Sequence, residues 1–252
     1  MADDLKHLIL TGDDFGRSPA VNAAIVRYHA AGALTQASLM VAEPHAAEAA
    51  ALARAHPDLC VGLHLTLCAG RATAPSPLTD AAGNFCASPA RAGLRFAFDR
   101  RLREPLRAEI RQQFEKFSAL GFPPTYWDGH THLHLHPVVF KLTLPIAREF
   151  GFRFVRLVRE PGPPALVPWI FQKLSAAAIP ALQQANIGFA DRVFGLRRTG
   201  RITADFIHET FRTLPPGLSE FYFHPGTETA LPSPEEFARL LHATAIRAVA
   251  SR

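Results

Sequence analysis

Two adjacent aspartates are the first residues in this sequence whose types and spacing suggest chemistry. Asp13 and Asp14 follow the apolar run Leu8 to Leu10 after only Thr11 and Gly12, which places two carboxylates at the end of a predicted strand. Such neighbouring anions repel each other unless a positive charge lies nearby. One carboxylate would then bind a metal ion while the other acts as general base on water. The structural alternative is a helix cap for a segment that begins near Ser18.

Histidines supply the candidate partners for these carboxylates. His64 lies within the strand-like run 61–67, where a lone histidine is more often a hydrogen-bonded core residue. Four more alternate with other residues between positions 128 and 136, namely His130, His132, His134 and His136. On a straight extended backbone, this alternation places all four rings on one side. It favours a metal or a polar cleft, since neutral imidazole is a common metal ligand.

A further histidine, His224, ends the last clear strand-like run, which begins at Glu220. In a closed barrel the last strand neighbours the first, so His224 would reach the two aspartates. Glu220 would then orient a histidine of the site. Taken alone, His224 is equally well explained by hydrogen bonding in the Pro-Gly turn that follows it.

Composition indicates a folded, enzyme-sized chain, with 48% hydrophobic and 19% charged residues among 252. The N-terminus is acidic where a signal peptide needs basic residues, and prolines and a lysine interrupt the apolar stretch 163–185. Neither a signal peptide nor a transmembrane helix is therefore predicted. Three cysteines without CxxC spacing predict neither disulfides nor a zinc-thiolate site. These features favour a cytoplasmic protein.

The net charge of +5 is modest, but arginines concentrate between residues 91 and 111 among apolar residues. This segment is either a solvated, partly helical insertion or a surface that faces anions, including the inner face of a membrane. No nucleic-acid-binding motif accompanies the charge, so no nucleic-acid partner is predicted. The oligomeric state is left open, a homo-oligomer included.

Strand-like and helical runs alternate along the chain, which predicts an α/β fold with a mainly parallel sheet, open or closed into a barrel. Ser18-Pro19 and Ser233-Pro234 mark helix starts. We expect one domain over residues 1–252, with insertions at about 68–103 and 158–201. Binding groups are expected at the carboxyl ends of the strands, where several loops converge.

Four motifs together resemble the YdjC-like carbohydrate deacetylases: residues 11–16 (TGDDFG), 62–65 (GLHL), 128–134 (DGHTHLH) and 224–226 (HPG). The resemblance implies a deformed (β/α) barrel related to the polysaccharide deacetylases, with one divalent ion, Mg²⁺ or Zn²⁺, or alternatively Mn²⁺ or Co²⁺. It implies Asp14, His64 and His130 as metal ligands and Asp13 as general base. His224 is then the candidate general acid, with His132 as the alternative.

Within that family, the arginine-rich segment, residues 38–41 and the apolar stretch 163–185 most resemble the hopanoid-biosynthesis branch. The implied substrate is an N-acetylglucosaminyl lipid. Trp169, Ile170, Phe171 and Leu174, beside three arginines, would supply an apolar groove or would simply form a core helix. Alternative functions are deacetylation of soluble chitobiose-type sugars, another metal hydrolysis such as phosphoester cleavage, and non-catalytic glycolipid binding. Gly12 departs from the commoner family pattern, in which Ala is usual.

Overall fold

The computed structural model describes residues 5–251 as a single parallel sheet surrounded by helices. The acidic residues 1–4, part of the basis for predicting no signal peptide, lie outside this range. The eight strands of this sheet pair with one another in parallel. The strands are β1 Lys6–Phe15, β2 Gln36–Leu39, β3 Cys60–Leu65, β4 Tyr126–Gly129, β5 Phe154–Val155, β6 Arg192–Phe194, β7 Gly217–Phe223 and β8 Ile246–Val249.

Helices connect most of these strands and cover the outside of the sheet. Ser18 and Ser233 each accept a hydrogen bond from a backbone N–H of the first helical turn, which confirms the two predicted helix starts. The α-helices are α1 Pro19–Ala30, α2 Ala46–Arg54, α3 Pro89–Phe98, α4 Arg103–Ala119, α5 Pro137–Glu149, α6 Leu166–Gln184, α7 Ala204–Thr213 and α8 Pro234–His242.

The sheet curls into an incomplete barrel with strand order β5-β4-β3-β2-β1-β7-β6. Strand β8 pairs with β1 over Lys6–Ile9, below the part of β1 that pairs with β2. The two edges of the sheet approach each other through their flanking segments. Phe154 of β5 forms an isolated parallel bridge with Gly188, before β6, and Val193 N of β6 donates a hydrogen bond to Arg159 O, after β5. The predicted α/β fold, a deformed parallel barrel, is confirmed.

Alternate residues of each strand point to opposite sides of the sheet, because the side-chain period of a strand is two. The outward residues pack under the helices, as Phe221 and Phe223 do against Phe237 of α8. The inward residues are mostly polar and hydrogen-bond across the barrel, above an apolar floor of Ile9, Tyr126, Phe154 and Ala190. The barrel therefore has an apolar shell and a polar interior.

Two strands and one long helix differ from the elements that the sequence predicts. The sequence pattern predicts a last helix from Pro234 to Val249, whereas α8 ends at His242 and Ile246–Val249 forms β8. Segment 158–201 contains α6 and strand β6. Strand β6 has only three residues, too few for a readable alternation. Within residues 5–251, no helix has the length and apolar character needed to cross a membrane.

Candidate functional site

A bulge at the end of β1 presents both aspartates to the mouth of the barrel. The pairing register of β1 with β2 shifts between Gly12 and Phe15, and Asp14 adopts a left-handed backbone conformation with φ 69°. In a regular strand, adjacent side chains would face opposite sides. The bulge lets Asp13 point into the interior while Asp14 turns towards the histidines. Both side chains are almost fully buried.

Asp14, His64 and His130 form a compact group of potential metal ligands. Asp14 Oδ1 lies 2.8 Å from Nδ1 of His130 and 3.4 Å from Nε2 of His64. These spacings suit donor atoms that share one ion at about 2.1 Å. Asp14 Oδ1 and His64 Nε2 are buried, and neither atom makes a hydrogen bond of good geometry. A buried polar atom without a partner is costly, and a shared cation would satisfy both atoms.

The electrostatics of this group also favour a cation. Burial alone would lower the pKa of His64, but the charges of Asp128 and Asp13, with hydrogen bonds to Asp128 and Asp14, raise the pKa to about 10. Burial likewise raises the pKa of Asp14, yet hydrogen bonds and charges of His130 and His64 hold it well below its usual value. A divalent ion would replace the proton on His64, because only neutral imidazole binds metal.

Asp128 orients the imidazole of His64 through its Nδ1 atom. His64 Nδ1 lies 2.6 Å from Asp128 Oδ1, which directs Nε2 towards Asp14. Ser38 donates a 2.7 Å hydrogen bond to the second oxygen of Asp128. This is the carboxylate–histidine arrangement that commonly supports metal ligands. Asp128 lies in the predicted histidine motif, but the sequence assigned it no role.

Arg156, which directly follows β5, holds the buried carboxylates together and was not predicted. Its guanidinium donates to both oxygens of Asp13 at 2.7 and 2.8 Å and to Glu220 Oε1 at 2.8 Å, and lies 2.8 Å from Asp128 Oδ2. The side chain is 1% exposed, so these are charge-assisted bonds in a water-poor interior. Glu220 bonds to Arg156 and Thr11, so the prediction that it orients a histidine was wrong.

The alternating histidines do not share one side, because β4 ends at Gly129. The backbone then enters two 3₁₀ turns in which Thr131 and His132 are left-handed, with φ 58° and 59°. The expected straight run was therefore wrong, and the rings diverge. His130 approaches Asp14, His132 pairs with Tyr222, His134 bonds to the carbonyl of Arg156, and His136 accepts a hydrogen bond at the start of α5.

His224 reaches the site because β7 pairs directly with β1, as expected for a barrel. Its Nδ1 lies 2.7 Å from Glu228 Oε1, which leaves Nε2 free of that contact. Burial lowers the pKa of His224, but the hydrogen bond to Glu228 and the charges of Asp13 and Asp14 raise it above its usual value overall. Glu228 lies four residues beyond His224 and was not predicted.

His132 has a different environment on the same side of the barrel. Its Nε2 lies 3.0 Å from the Tyr222 hydroxyl, its ring contacts Phe171 of α6, and its Nδ1 has no hydrogen-bond partner. Burial, together with the charge of Arg156, holds the pKa of His132 well below its usual value. The structure thus brings together Asp13, Asp14, His64 and His130, with His224 and His132 on flanking elements.

The parallel barrel and the buried carboxylate–histidine centre at its strand ends define this protein as an α/β barrel with a candidate metal site. The YdjC-like protein family model matches residues 7–249. The chain therefore belongs to the YdjC-like family. This conclusion confirms the family resemblance of the four sequence motifs.

Several proteins similar to this chain are named carbohydrate deacetylases. The chain is 36% identical over 167 residues to a carbohydrate deacetylase of Brevibacillus brevis, covering 65% of this chain and 60% of that protein. It is 32% identical over 216 residues to a mouse carbohydrate deacetylase, covering 80% and 69%. The match thus spans about three fifths of the Brevibacillus relative's length.

A solved structure supports the fold independently. An Enterococcus faecalis protein, described as a candidate cellobiose-phosphate cleavage protein, superposes with TM-score 0.71 and 20% identity over 98% of both chains. At this identity the similarity concerns the fold alone. It shows that the curled parallel barrel extends over nearly the whole length of both chains.

Replacing Asp128 with Asn should weaken divalent-metal binding about 10- to 100-fold. The amide oxygen can still accept from His64 Nδ1, but the negative charge behind the imidazole is lost. Chelator competition with Zn²⁺ would measure the affinity, and circular dichroism would verify folding. Asp58→Asn, at an exposed site, is the matched control. Equal affinities of wild type and Asp128→Asn would contradict this supporting role of Asp128.

Proposed function

We propose that this protein is a metal-dependent N-deacetylase that hydrolyses the acetamide of an N-acetylated amino sugar to the free amine and acetate. The observation that carries the proposal is the Asp14–His64–His130 donor group, with Asp13 and His224 beside it at the barrel mouth. Amide hydrolysis needs a base for water and an acid for the leaving nitrogen. Relatives named carbohydrate deacetylases support this choice among metal hydrolases.

The metal ligands in this proposal are Asp14, His64 and His130. A bound divalent ion would polarise the acetamide carbonyl and make water more acidic. Two histidines and one carboxylate suit Zn²⁺, while Mg²⁺, Mn²⁺ and Co²⁺ remain open to elemental analysis. In every case the protein contributes a dry, preoriented donor set at the strand ends.

Asp13 is proposed as the general base. Arg156 holds both of its oxygens, which fixes the plane of the carboxylate next to the metal ligands. Each carboxylate oxygen has a second lone pair, so Asp13 can still accept a proton from water. The guanidinium therefore orients the base without occupying all of its acceptor sites.

His224 is proposed as the general acid that protonates the leaving amine. Glu228 binds Nδ1 of His224, so the proton for donation lies on Nε2. The alternative acid, His132, has its Nε2 engaged with the Tyr222 hydroxyl and its ring packed against Phe171. Geometry favours His224 for proton donation and gives His132 a role in shaping the mouth of the site.

Asp13→Asn should reduce acetate release about 10²- to 10⁴-fold, because the amide cannot take the proton from water. Metal content should remain at the wild-type level, since Asp13 is not among the proposed ligands. Acetate would be quantified with diacetylchitobiose as substrate, with Asp58→Asn as control. Undiminished turnover would remove Asp13 from the mechanism, and phosphate release from aryl phosphates in place of acetate would refute deacetylation itself.

His224→Gln should remove the alkaline limb of the pH–rate profile. The acid must be protonated, and its folded pKa is raised, so wild-type activity should persist above pH 6.5 and fall as pH rises through the raised value. His132→Gln should lower activity while keeping that limb. An unchanged limb in His224→Gln, together with its loss in His132→Gln, would reverse the assignment.

The finer proposal for the substrate is a lipid-linked sugar, as in the hopanoid-biosynthesis branch of the family. A cleft of about 610 Å³ opens between the loop after β5 and helix α6, and its lining includes Pro163, Leu166, Trp169 and Arg197. Phe171 of the same helix contacts the ring of His132. We call the cleft of about 610 Å³ the apolar cleft. It offers an apolar aglycone a place beside the site.

Contact with a membrane surface is part of this finer proposal. Leu166 and Trp169 of α6 are 71% and 54% exposed, and Phe98 of α3 is 80% exposed. Arginines at 91, 95, 100 and 101 surround Phe98 in the chain. Exposed apolar side chains among cations suit a surface of anionic lipids. The arginine-rich segment forms α3 and the start of α4.

Trp169→Ala should lower kcat/KM for an N-acetylglucosaminyl hopanoid and leave kcat/KM for diacetylchitobiose unchanged. The indole would contact only the lipid part of the substrate. Mass spectrometry would measure the loss of the acetyl group in both reactions. Leu5→Ala is the control, since Leu5 is 51% exposed just before β1, away from the strand ends that carry the site. Equal losses with both substrates would count against an aglycone in the apolar cleft.

A further inference from the structure

A second cleft lies beside the proposed metal ligands and has no part in the mechanism above. It has a volume of about 470 Å³ and is formed by the loops that follow β1, β2 and β3. We call it the polar cleft. Its polar lining residues are Arg17, Glu43, Arg71 and Asn84.

The polar cleft is in direct contact with the metal-ligand group. Arg17 donates a 2.8 Å hydrogen bond from Nη1 to Asp14 Oδ2, while its side chain is 41% exposed. A guanidinium has five N–H donors, so most of them remain for a ligand. Gly70, which also lines the cleft, packs against Thr66, two residues after His64, since a Cβ added at Gly70 would lie 2.7 Å from Thr66 Cγ2. A molecule in this cleft would therefore lie next to the reacting centre.

The charges in the cleft indicate the chemistry of its ligand. Glu43 Oε1 accepts a 2.8 Å hydrogen bond from the backbone N–H of Arg71, which anchors the carboxylate at the wall. The Arg71 guanidinium forms no ion pair with a residue in the described part of the chain. The lining therefore places hydrogen-bond donors, on the two arginines, beside the acceptor oxygens of Glu43. A neutral group with hydroxyls, each both donor and acceptor, matches this mixed set.

The two clefts lie on different sides of the metal ligands. The polar cleft belongs to the strands β1 to β3, whereas the apolar cleft belongs to β5 and β6 at the far edges of the sheet. We propose that the polar cleft, through Glu43 and Arg71, binds the hydroxyl groups of the substrate's sugar and so directs its aglycone to the apolar cleft. This inference rests on the proposed deacetylase function and adds an orientation to it.

Glu43→Gln and Arg71→Met test the proposal, with the methyl and octyl glycosides of N-acetylglucosamine as substrates. Gln at position 43 can still accept the loop hydrogen bond, so only the charge changes. Each variant should raise KM about tenfold or more for both glycosides, because both share the sugar. Trp169→Ala should raise KM for the octyl glycoside alone. Glu209→Gln and Arg212→Met, at an exposed pair on α7, should match the wild type.

The same variants separate failure of this inference from failure of the proposed function. If the wild type releases no acetate, calorimetry with the methyl glycoside and zinc-loaded protein still measures sugar binding. Loss of that binding in Glu43→Gln and Arg71→Met would support the cleft even without deacetylation. Wild-type KM in both variants, unchanged affinity in both, or no binding by the wild type would overturn it.

Discussion

The buried guanidinium of Arg156 holds three carboxylates from three strands together inside the barrel. Asp13, Asp128 and Glu220 come from β1, β4 and β7, and one guanidinium on the loop after β5 reaches all three. Ions lose much of their hydration energy when buried, and mutual attraction offsets this loss only with good geometry. Curling the sheet brings these strands within reach of one side chain. The closure of the barrel and the position of the base therefore share one cause.

One guanidinium does not balance the negative charge in this interior. Asp14 adds a fourth carboxylate, and burial raises the pKa of Glu220, which reduces the charge that must be compensated there. In the structure, the raised pKa of His64 and the contact from Arg17 supply further positive charge. A divalent ion at Asp14 would serve the same purpose and leave His64 neutral. The electrostatic demand of the interior and the proposed chemistry thus point to the same position.

The sequence predicted the fold well wherever strands show an apolar run followed by a capped helix, as in β1 and α1. It also predicted that Asp13, Asp14, His64 and His130 lie close together, because parallel strands end at one face. Arg156 could not be predicted, since one arginine after a two-residue strand has no distinguishing pattern. Glu220 was placed on the correct strand and given the wrong partner. Only the three-dimensional position of Arg156 shows which carboxylates need it.

Local backbone conformation explains the remaining error, the straight histidine run. Period-two spacing at residues 130–136 has the pattern of a strand, but Thr131 and His132 occupy left-handed conformations that cost about 1–3 kcal/mol each. A sequence pattern cannot reveal such strain, because the surrounding packing maintains it. The strain separates His130, on the metal-ligand side, from His132, beside Tyr222 and α6. One short segment thereby serves both the proposed metal centre and the packing against α6.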